Sequence, residues 1–551
     1  MSHPKPDPIL PFRGMLAMLL VIALSAVTAE AQQRQGRRPD RSPVQERQQD
    51  PGQEQRGEQD VEAAQPAADQ PEYEDLSVSE HDAAGLRFRA VAGMQPLNDT
   101  DGELRGNMFF VYYAALGDDG KPLHETQDRP VTYVFNGGPG AASIWLHMGT
   151  AGPFRVPLEP DGNPTSPPYK AQENPHTWLD VTDLVFIDPI GTGFSRAAGE
   201  EPNPRMFWGV YEDRQWVAEF IRLHATRFER WDDPKFLAGE SYGTTRAAQL
   251  ASYLHERYGL DMNGIMLISA VLDFATIREA ENNPLPYVLF LPSYTASAFH
   301  HGKLPSDLQE NMEETLKQAE TFAIDEYMPA MMKGTGLGDE ERQAIAEKYA
   351  RFTGLPVEYV LMSDLRVPPQ RFMKALLNEQ RQVIGRMDGR IAGVDTDPVN
   401  DTPSFDPALT GYRGVYTGAF ADYVRNRLNF RSDLSYEALG GVGPWQGTPE
   451  TSRNYSGGYL NVADDLREAI VAVPSMQVLL ASGRYDLATP YFAADYTMRQ
   501  LRLPPELQDN IHTEYYEGGH MMYHVESEQE KLHDDIVAFI RNAVPTTQAA
   551  D

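Results

Sequence analysis

The segment Gly239-Glu240-Ser241-Tyr242-Gly243 is the part of the sequence best suited to covalent chemistry. It satisfies the pattern G-x-S-x-G and stands between the apolar run 236–238 and a helical pattern that starts at Thr244. A turn of this kind lifts a serine hydroxyl above a sheet and points the free N–H groups of the helix toward it. A glycine-rich turn with a capping serine is the competing interpretation. Because a predicted strand and a predicted helix flank the segment, we predict that Ser241 is a nucleophile.

Asp486 and His520 are the candidates for the acid and the base that a serine nucleophile requires. Asp486 follows the predicted strand 476–481, and His520 stands in a glycine-rich turn after the predicted strand 514–516. The chain order Ser, Asp, His is the one found in α/β-hydrolases. Two alternatives stay open here. Asp486 could simply form a turn, and His520 could bind zinc with His524, although no zinc-protease glutamate stands between the two histidines.

A second glycine-rich loop, Asn-Gly-Gly-Pro-Gly at 136–140, directly follows the predicted strand 131–135. Adjacent glycines let the backbone approach closely and aim N–H groups at a developing oxyanion. The same composition would also suit a phosphate cradle or a structural turn. No Lys-Ser or Lys-Thr pair follows the loop, so nucleotide binding has little support.

Short apolar runs that end in Gly- or Pro-rich turns provide the elements that would hold these residues. Continuous runs of this kind are typical of strands buried on both faces. Helical patterns separate several of the runs, and this alternation predicts a mostly parallel α/β sheet flanked by helices. The predicted strands are 131–135, 184–187, 236–238, 265–269 and 478–481, preceded by extended segments at 88–90 and 108–115.

Helical stretches at 306–327 and 342–352 interrupt this alternation and predict a largely helical cap inserted into an α/β core. The alternation then resumes and ends in a predicted helix, 527–543, where Ser527 and Glu530 have the spacing of a capping box. The predicted organisation is a signal peptide at 1–31, a disordered linker at 32–75, a hydrolase core at 76–273 and 458–545, and a cap insertion at 274–457.

The N-terminus indicates where the protein acts, and the composition limits what it can bind. Lys5 and Arg13 precede the apolar run 15–27, and small residues around Ala31 offer a cleavage site. This pattern predicts a secretory signal peptide, because the run is shorter than the roughly 20 residues that cross a bilayer. We therefore expect a periplasmic or secreted protein without a membrane span after cleavage. A net charge of −32 argues against nucleic acid, and the absence of cysteine excludes disulfides and thiolate chemistry.

Five segments together resemble the signature set of the serine carboxypeptidase family, peptidase family S10. They occur in the family's order, and the resemblance extends over roughly residues 76–543, although the cap carries no matching motif. The segments are 136–140, 191–195, 239–243, 483–486 and 519–521. The resemblance implies an α/β-hydrolase fold and a serine-type carboxypeptidase without cofactor or metal. Such an enzyme releases C-terminal amino acids from peptides with a free C-terminus through an acyl-enzyme intermediate.

The resemblance also implies roles for single residues. The implied catalytic triad is Ser241, Asp486 and His520. The implied oxyanion hole consists of the backbone N–H groups of Gly138 and Tyr242. The implied clamp for the terminal carboxylate of the substrate consists of Asn136, the Gly137 backbone and Glu240, and Met521 would line the pocket for the departing residue. Glu240 must be protonated to donate to a carboxylate, and a buried carboxyl has a raised pKa, which would favour peptide hydrolysis under mildly acidic conditions.

Two departures from the family pattern bear on function. Many relatives pair the glutamate before the serine with a second glutamate, whereas Thr150 and Ala151 precede the next Gly-Pro pair here. The cysteines common in the family are absent, so packing alone must hold the cap. An esterase or acyltransferase with the same triad is the alternative enzyme function, and a binding protein on an inactive hydrolase scaffold is the non-enzymatic one.

Overall fold

The computed structural model describes residues 76–126, 128–447 and 454–544 of the chain. The predicted signal peptide and linker lie outside the described residues. Within those three ranges, no helix combines the length and the apolar character needed to cross a membrane.

A ten-stranded sheet runs through the core. Its central strands β4, β5, β7, β8, β9 and β10 are parallel to their neighbours in that group, and β1, β2, β3 and β6 pair in antiparallel fashion at one side. The strands are β1 (Ser77–Ala83), β2 (Leu86–Asn98), β3 (Leu104–Ala115), β4 (Val131–Phe135), β5 (Asp183–Ile187), β6 (Arg196–Ala197), β7 (Lys235–Glu240), β8 (Gly264–Ile268), β9 (Gln477–Gly483) and β10 (Ile511–Tyr516).

The order of the strands across the sheet identifies the fold. It is β1-β2-β3-β5-β4-β7-β8-β9-β10, with β6 attached to β3. The exchange of β4 and β5 relative to chain order, followed by strands added one after another on the other side, is the α/β-hydrolase arrangement. The predicted fold class, a mostly parallel sheet flanked by helices with a helical cap insertion, is confirmed.

Helices cover both faces of this sheet. The fifteen α-helices of the described residues are α1 (Ile144–Leu146), α2 (Val210–Arg227), α3 (Tyr242–Tyr258), α4 (Leu285–Leu289), α5 (Leu291–His300), α6 (Met312–Phe322), α7 (Met328–Lys333), α8 (Asp339–Thr353), α9 (Val357–Met362), α10 (Pro369–Ala375), α11 (Pro407–Asn426), α12 (Ala463–Ala472), α13 (Tyr491–Arg499), α14 (Pro505–Gln508) and α15 (Glu526–Ala543). Short two-stranded ribbons join Phe154–Arg155 to Gln172–Glu173, Gln382–Ile384 to Ala392–Val394, and Tyr455–Ser456 to Tyr459–Leu460.

The apolar strands form two cores because neighbouring side chains point to opposite faces of the sheet. In β7, Phe236 and Ala238 belong to the core that α1, α11 and α15 cover, whereas Leu237 belongs to the core that α2, α3 and α12 cover. Each strand of this kind is buried on both faces, as the continuous apolar runs predicted. A third buried cluster lies among the helices between β8 and β9 and includes residues of α13.

The register of the central strands brings the loops at their carboxyl ends together. Phe135 of β4 is paired with Gly239 of β7, and Glu240 of β7 is paired with Ile268 of β8. Further along, β8 pairs with β9, and β9 pairs with β10. The loops that begin at Asn136, Ser241, Ser269, Arg484 and Glu517 therefore leave the same edge of the sheet.

Two helix predictions need correction. The stretch 306–327 forms a helix only from Met312, because Asn311 caps it by accepting a hydrogen bond from Glu314 N, and a π-helical turn follows at Ala323–Tyr327. The last helix begins at Glu526, and its flanking residue Val525 makes no side-chain cap. The capping box was wrong, because the Ser527 hydroxyl contacts the Glu528 carboxylate instead.

Candidate active site

Ser241 lies on the strained turn between β7 and α3. Its backbone has φ of 60° and ψ of −129°, a conformation that L-residues other than glycine rarely adopt. The turn is held by a hydrogen bond from Ser241 N–H to the Ile268 carbonyl at 3.0 Å, and by Thr244, whose N–H donates to the Ser241 carbonyl. The Ser241 side chain is partly exposed at the N-terminus of α3, a 17-residue helix. This geometry is the one that the G-x-S-x-G pattern predicted.

Three glycines allow the turn to form. A Cβ atom on Gly239 would lie 2.2 Å from the Gly243 carbonyl oxygen, and one on Gly243 would lie 2.9 Å from the Phe135 carbonyl oxygen. Gly137 packs against the same turn from the neighbouring loop, and its Cβ would lie 2.4 Å from Tyr242 N. A larger residue at 137 or 243 would push the loop after β4 away from the turn, and a larger residue at 239 would force the turn itself open.

His520 and Asp486 are brought together by the loops that follow β10 and β9. The His520 Nδ1 atom lies 2.7 Å from Asp486 Oδ2, and both side chains are buried. The other carboxylate oxygen, Oδ1, accepts hydrogen bonds from Ala488 N and Thr489 N at 2.7 and 2.9 Å. Asp486 therefore both forms a turn and contacts the imidazole, so the two interpretations of this residue are compatible.

His520 and Ser241 are also anchored to two consecutive residues at the end of β8, Ile268 and Ser269. The Ser269 hydroxyl donates to the His520 carbonyl at 2.7 Å, and the preceding residue, Ile268, accepts from Ser241 N–H. Thr489 adds a further link, because its hydroxyl lies 2.8 Å from Asp486 Oδ2 and 2.9 Å from the Ser269 carbonyl. Sequence reasoning missed Ser269 and Thr489, since a lone hydroxyl residue in a loop carries no signal of its own.

The electrostatics around His520 favour its charged form. Burial alone lowers the pKa of His520, but the charge of Asp486 and the hydrogen bond to it outweigh burial and raise the pKa above its ordinary value. An Asp that accepts from Nδ1–H also fixes the tautomer in which Nε2 is free to accept a proton. The pair has the chemistry of a general base with its orienting acid.

Two backbone N–H groups next to Ser241 are free to bind an anion. Within the described residues, neither Gly138 N–H nor Tyr242 N–H donates to a protein acceptor. Gly138 has φ of 101°, a conformation that glycine adopts without strain. Tyr242 is the first residue of α3, where the helix leaves its N–H groups unpaired. Both groups therefore fit the role predicted for them in an oxyanion hole.

Asn136 and Glu240 form a buried pair beside the serine. Asn136 Nδ2 donates to Glu240 Oε1 at 2.9 Å, which leaves the second amide hydrogen of Asn136 available. The Asn136 side chain is held in place because its Oδ1 accepts from Leu146 N at 3.0 Å. Gly137 lies between Asn136 and the serine turn, so the three residues predicted to bind a carboxylate are adjacent in space.

Tyr523 is the partner of Glu240 that sequence reasoning missed. Its hydroxyl donates to Glu240 Oε2 at 2.6 Å, and its side chain is buried. Burial raises the pKa of Glu240 to about 7, although the charge of His520 and the hydrogen bonds from Tyr523 and Asn136 lower it. The pKa of Glu240 is thus raised, as expected. Within the described ranges, however, no second carboxyl group is hydrogen-bonded to Glu240.

A turn in the segment between β8 and β9 contributes directly to the loop that carries His520. The His520 N–H donates to the Met387 carbonyl at 2.5 Å, and Gly519 N–H donates to Asp388 Oδ2 at 3.1 Å. Arg390 holds this turn in place, because it pairs with Asp388 and donates to the Glu517 carbonyl at 2.6 Å. Met521, the predicted pocket residue, is buried directly after His520 and belongs to the core shared with α11.

The zinc interpretation has no support from this geometry. His524 Nε2 lies 2.7 Å from the Tyr416 hydroxyl, while His520 is engaged with Asp486. Burial lowers the pKa of His524 to about 3, so it is a neutral core histidine. In the part of the chain that the structure describes, no group of three His, Asp or Glu side chains is placed to hold a metal ion.

Comparison with known proteins gives the same family that the motifs resemble. A family model described as serine carboxypeptidase matches residues 85–533. The pheromone-processing carboxypeptidase KEX1 of Yarrowia lipolytica is 27% identical over 32% of this chain and 26% of its own length. The pheromone-processing carboxypeptidase kex1 of Schizosaccharomyces pombe is 29% identical over 31% of this chain and 30% of its own length. Serine carboxypeptidase-like 34 of Arabidopsis thaliana is 26% identical over 35% of this chain and 36% of its own length. The chain thus spans about a quarter to a third of the length of these relatives.

Proposed function

The chain belongs to the serine carboxypeptidase family and is a serine hydrolase, and we propose that it releases C-terminal amino acids from peptides through an acyl-enzyme formed on Ser241. The substrates of the proposal are peptides with a free C-terminus. The proposal rests on the family match together with the contacts around Ser241, His520 and Glu240.

In the proposed reaction, the Ser241 hydroxyl attacks the carbonyl carbon of the last peptide bond while His520 Nε2 takes its proton. The tetrahedral intermediate collapses when His520 passes that proton to the departing amine, which leaves as the free C-terminal amino acid. Water then attacks the acyl-Ser241 ester, with His520 again accepting a proton and returning it to the serine. Asp486 keeps the imidazole in the required tautomer and stabilises its cation throughout.

In the proposed reaction, the N–H groups of Gly138 and Tyr242 bind the carbonyl oxygen as it becomes negatively charged. Both N–H groups are unpaired within the described residues, so they need no rearrangement before they bind an oxyanion. Donors fixed in this way stabilise the transition state more than the substrate, and removal of one such donor typically costs about 10² to 10³ in kcat.

The observation that favours a carboxypeptidase over other serine hydrolases is the buried Asn136–Glu240 pair next to the nucleophile. A protonated Glu240, the second amide hydrogen of Asn136 and the Gly137 N–H together offer donors for a carboxylate. Burial raises the pKa of Glu240 to about 7, so the protonated form is available in mildly acidic to neutral solution. An ester or acyl donor has no terminal carboxylate and needs no such clamp.

The test compares one blocked dipeptide as its free acid, its amide and its ethyl ester. We expect the free-acid dipeptide to be hydrolysed best below pH 7. At higher pH its KM should rise, whereas the KM values of the amide and the ester should not. In Glu240→Gln the free acid should lose more kcat/KM than the ester. Glu320→Gln is the matched control, because Glu320 also accepts from a buried tyrosine hydroxyl, Tyr491, but lies in the cap.

Other outcomes would identify other functions. Equal loss on acid and ester in Glu240→Gln, or faster turnover of the ester at every pH, would favour an esterase or acyltransferase. Absence of turnover of all three compounds in a folded protein would favour a binding protein on an inactive scaffold.

We further propose that the protein is exported, with residues 1–31 removed as a signal peptide and residues 32–75 forming a linker. We also propose that residues 76–273 and 458–545 form the catalytic core around the 274–457 cap. N-terminal sequencing of the protein recovered outside the cytoplasm should begin near residue 32. Recovery of the full-length chain from the cytoplasm would contradict the proposed export.

A further inference from the structure

Glu240 has a partner of an unexpected chemical type. Its Oε2 atom accepts a hydrogen bond from the Tyr523 hydroxyl at 2.6 Å, and its Oε1 atom accepts one from Asn136. A second carboxyl group could share a proton with Glu240, whereas a phenol keeps its own proton at ordinary pH and here donates it in a hydrogen bond to the carboxyl. Burial and the nearby Glu240 raise the pKa of Tyr523 well above its usual range, so its hydroxyl keeps this hydrogen.

The chain is built to admit the Tyr523 ring at this place. A Cβ atom on Gly149 would lie 2.4 Å from Tyr523 Cε2 and 2.6 Å from the Tyr416 hydroxyl, so only glycine leaves room for both rings. The neighbouring Thr150 hydroxyl is buried without a partner among the described residues, so Thr150 gives Glu240 no hydrogen bond. Tyr523 is therefore the side chain that this packing places against the Glu240 carboxyl.

The charged and titratable groups around Glu240 come from several elements. His520 and Asp486 lie on the loops after β10 and β9, Tyr523 lies on the turn before α15, and Tyr416 lies on α11. Among these groups, only Tyr523 is hydrogen-bonded to the carboxyl of Glu240. A donor of this kind favours the ionised carboxyl, in opposition to burial.

We infer that Tyr523 is a positioning residue that sets the upper pH limit at which Glu240 accepts the terminal carboxylate of a substrate. The inference rests on the proposed function, because it takes Glu240 as the acid of the carboxylate clamp. Tyr523 holds Oε2 and thereby fixes the plane of the carboxyl group. It also stabilises the ionised form, which repels a substrate carboxylate.

The test is Tyr523→Phe, which removes the hydroxyl and keeps the ring. Loss of the donor makes ionisation of Glu240 harder, so the pH at which KM for the free-acid peptide rises should move upward by roughly one unit. The kcat at low pH and the KM for the ester should stay within about twofold, because those quantities do not depend on the ionised form of Glu240. Tyr416→Phe is the matched control, since it removes another buried hydroxyl that bonds His524 rather than Glu240.

A second variant covers the case in which Tyr523→Phe folds poorly. Gly149→Ala would displace the Tyr523 ring without changing it, and the KM profile should shift in the same direction. An unchanged or lowered midpoint in a folded Tyr523→Phe protein would overturn the inference. An equal loss of kcat on acid and ester would also overturn it, because a purely structural role would act that way.

An infrared titration separates this inference from the proposed function. The carboxyl band of Glu240, isolated as the difference between the wild type and Glu240→Gln, should titrate at higher pH in Tyr523→Phe. A shifted band without any preference for free-acid peptides would refute the proposed function and leave the link between Tyr523 and Glu240 intact. An unshifted band with a clear free-acid preference would refute the inference alone.

Discussion

Replacement of Asp486 by asparagine tests how the His520 imidazole is oriented. The asparagine Oδ1 can still accept from Ala488 N and Thr489 N, so the turn after β9 should survive. Its Nδ2 takes the position of Oδ2, which lies 2.7 Å from His520 Nδ1. An amide N–H there donates to Nδ1, so the imidazole carries its hydrogen on Nε2, the atom that should take the serine proton.

Asp486→Asn should impair His520 as the general base without unfolding the protein. We expect kcat to fall by about 10⁴, which corresponds to about 5 kcal/mol of transition-state stabilisation, with KM little changed. The residual activity should carry a second signature. Asp486 raises the pKa of His520, so its neutralisation lowers that pKa and moves the acid limb of kcat/KM to lower pH.

The assay measures kcat and KM for a blocked dipeptide between pH 5 and 8, together with the melting temperature of each protein. Asp119→Asn is the matched control, because Asp119 Oδ1 also accepts from a backbone N–H two residues on, that of Lys121, at the opposite edge of the sheet. A folded Asp486→Asn protein that loses less than about tenfold in kcat would refute the orienting role. A comparable loss of kcat in Asp119→Asn would show that disturbing a turn alone lowers kcat. Asp486 would then be needed only as a turn-forming residue.

Two further substitutions test the loops around the serine turn. Gly137→Ala should reduce kcat, because the added Cβ would lie 2.4 Å from Tyr242 N. Gly336→Ala is the control and should leave kcat unchanged, because a Cβ there meets nothing within 4 Å. Similar kinetics in the two variants would contradict the close approach of Gly137 to the serine turn. Glu240→Gln should flatten the pH dependence of stability. In the wild type the pKa of Glu240 rises from 4.5 unfolded to about 7 folded, so the folded state holds the extra proton and the free energy of unfolding falls as pH rises through that window. Urea unfolding at pH 5 and pH 8 should therefore show that the wild type loses about 2.5 kcal/mol more stability than Glu240→Gln over this range. Parallel pH dependences of the two proteins would disprove burial of an ionising group.

The sequence predicted the core of the fold because the relevant signals are local. The segment 131–135 is a mostly apolar run with strand-forming residues, and β4 occupies those residues. The glycines of the 239–243 segment reflect contacts within the turn itself, so the pattern predicted the sharp turn at Ser241, although not its positive φ. Strand ends were less accurate, since β7 extends from Lys235 to Glu240 beyond its apolar centre.

The contacts that sequence reasoning missed are long-range. Tyr523 meets Glu240 across 283 positions of the chain, and Asp388 meets Gly519 across 131 positions. Nothing in the residues near Tyr523 or Asp388 indicates such a partner, because neither spacing nor composition encodes it. The helix at 306–327 was overextended for a different reason, since Asn311 supplies a cap that stops the helical pattern on its N-terminal side.

The central claim is that Ser241 becomes acylated with the help of His520, and covalent labelling tests it most directly. A fluorophosphonate should modify the protein once, and peptide mapping by mass spectrometry should place the adduct on Ser241. Labelling should be absent in Ser241→Ala, whose melting temperature and secondary structure should match the wild type, and turnover should fall by about 10⁶. An adduct on another serine, or wild-type turnover in Ser241→Ala, would contradict the account.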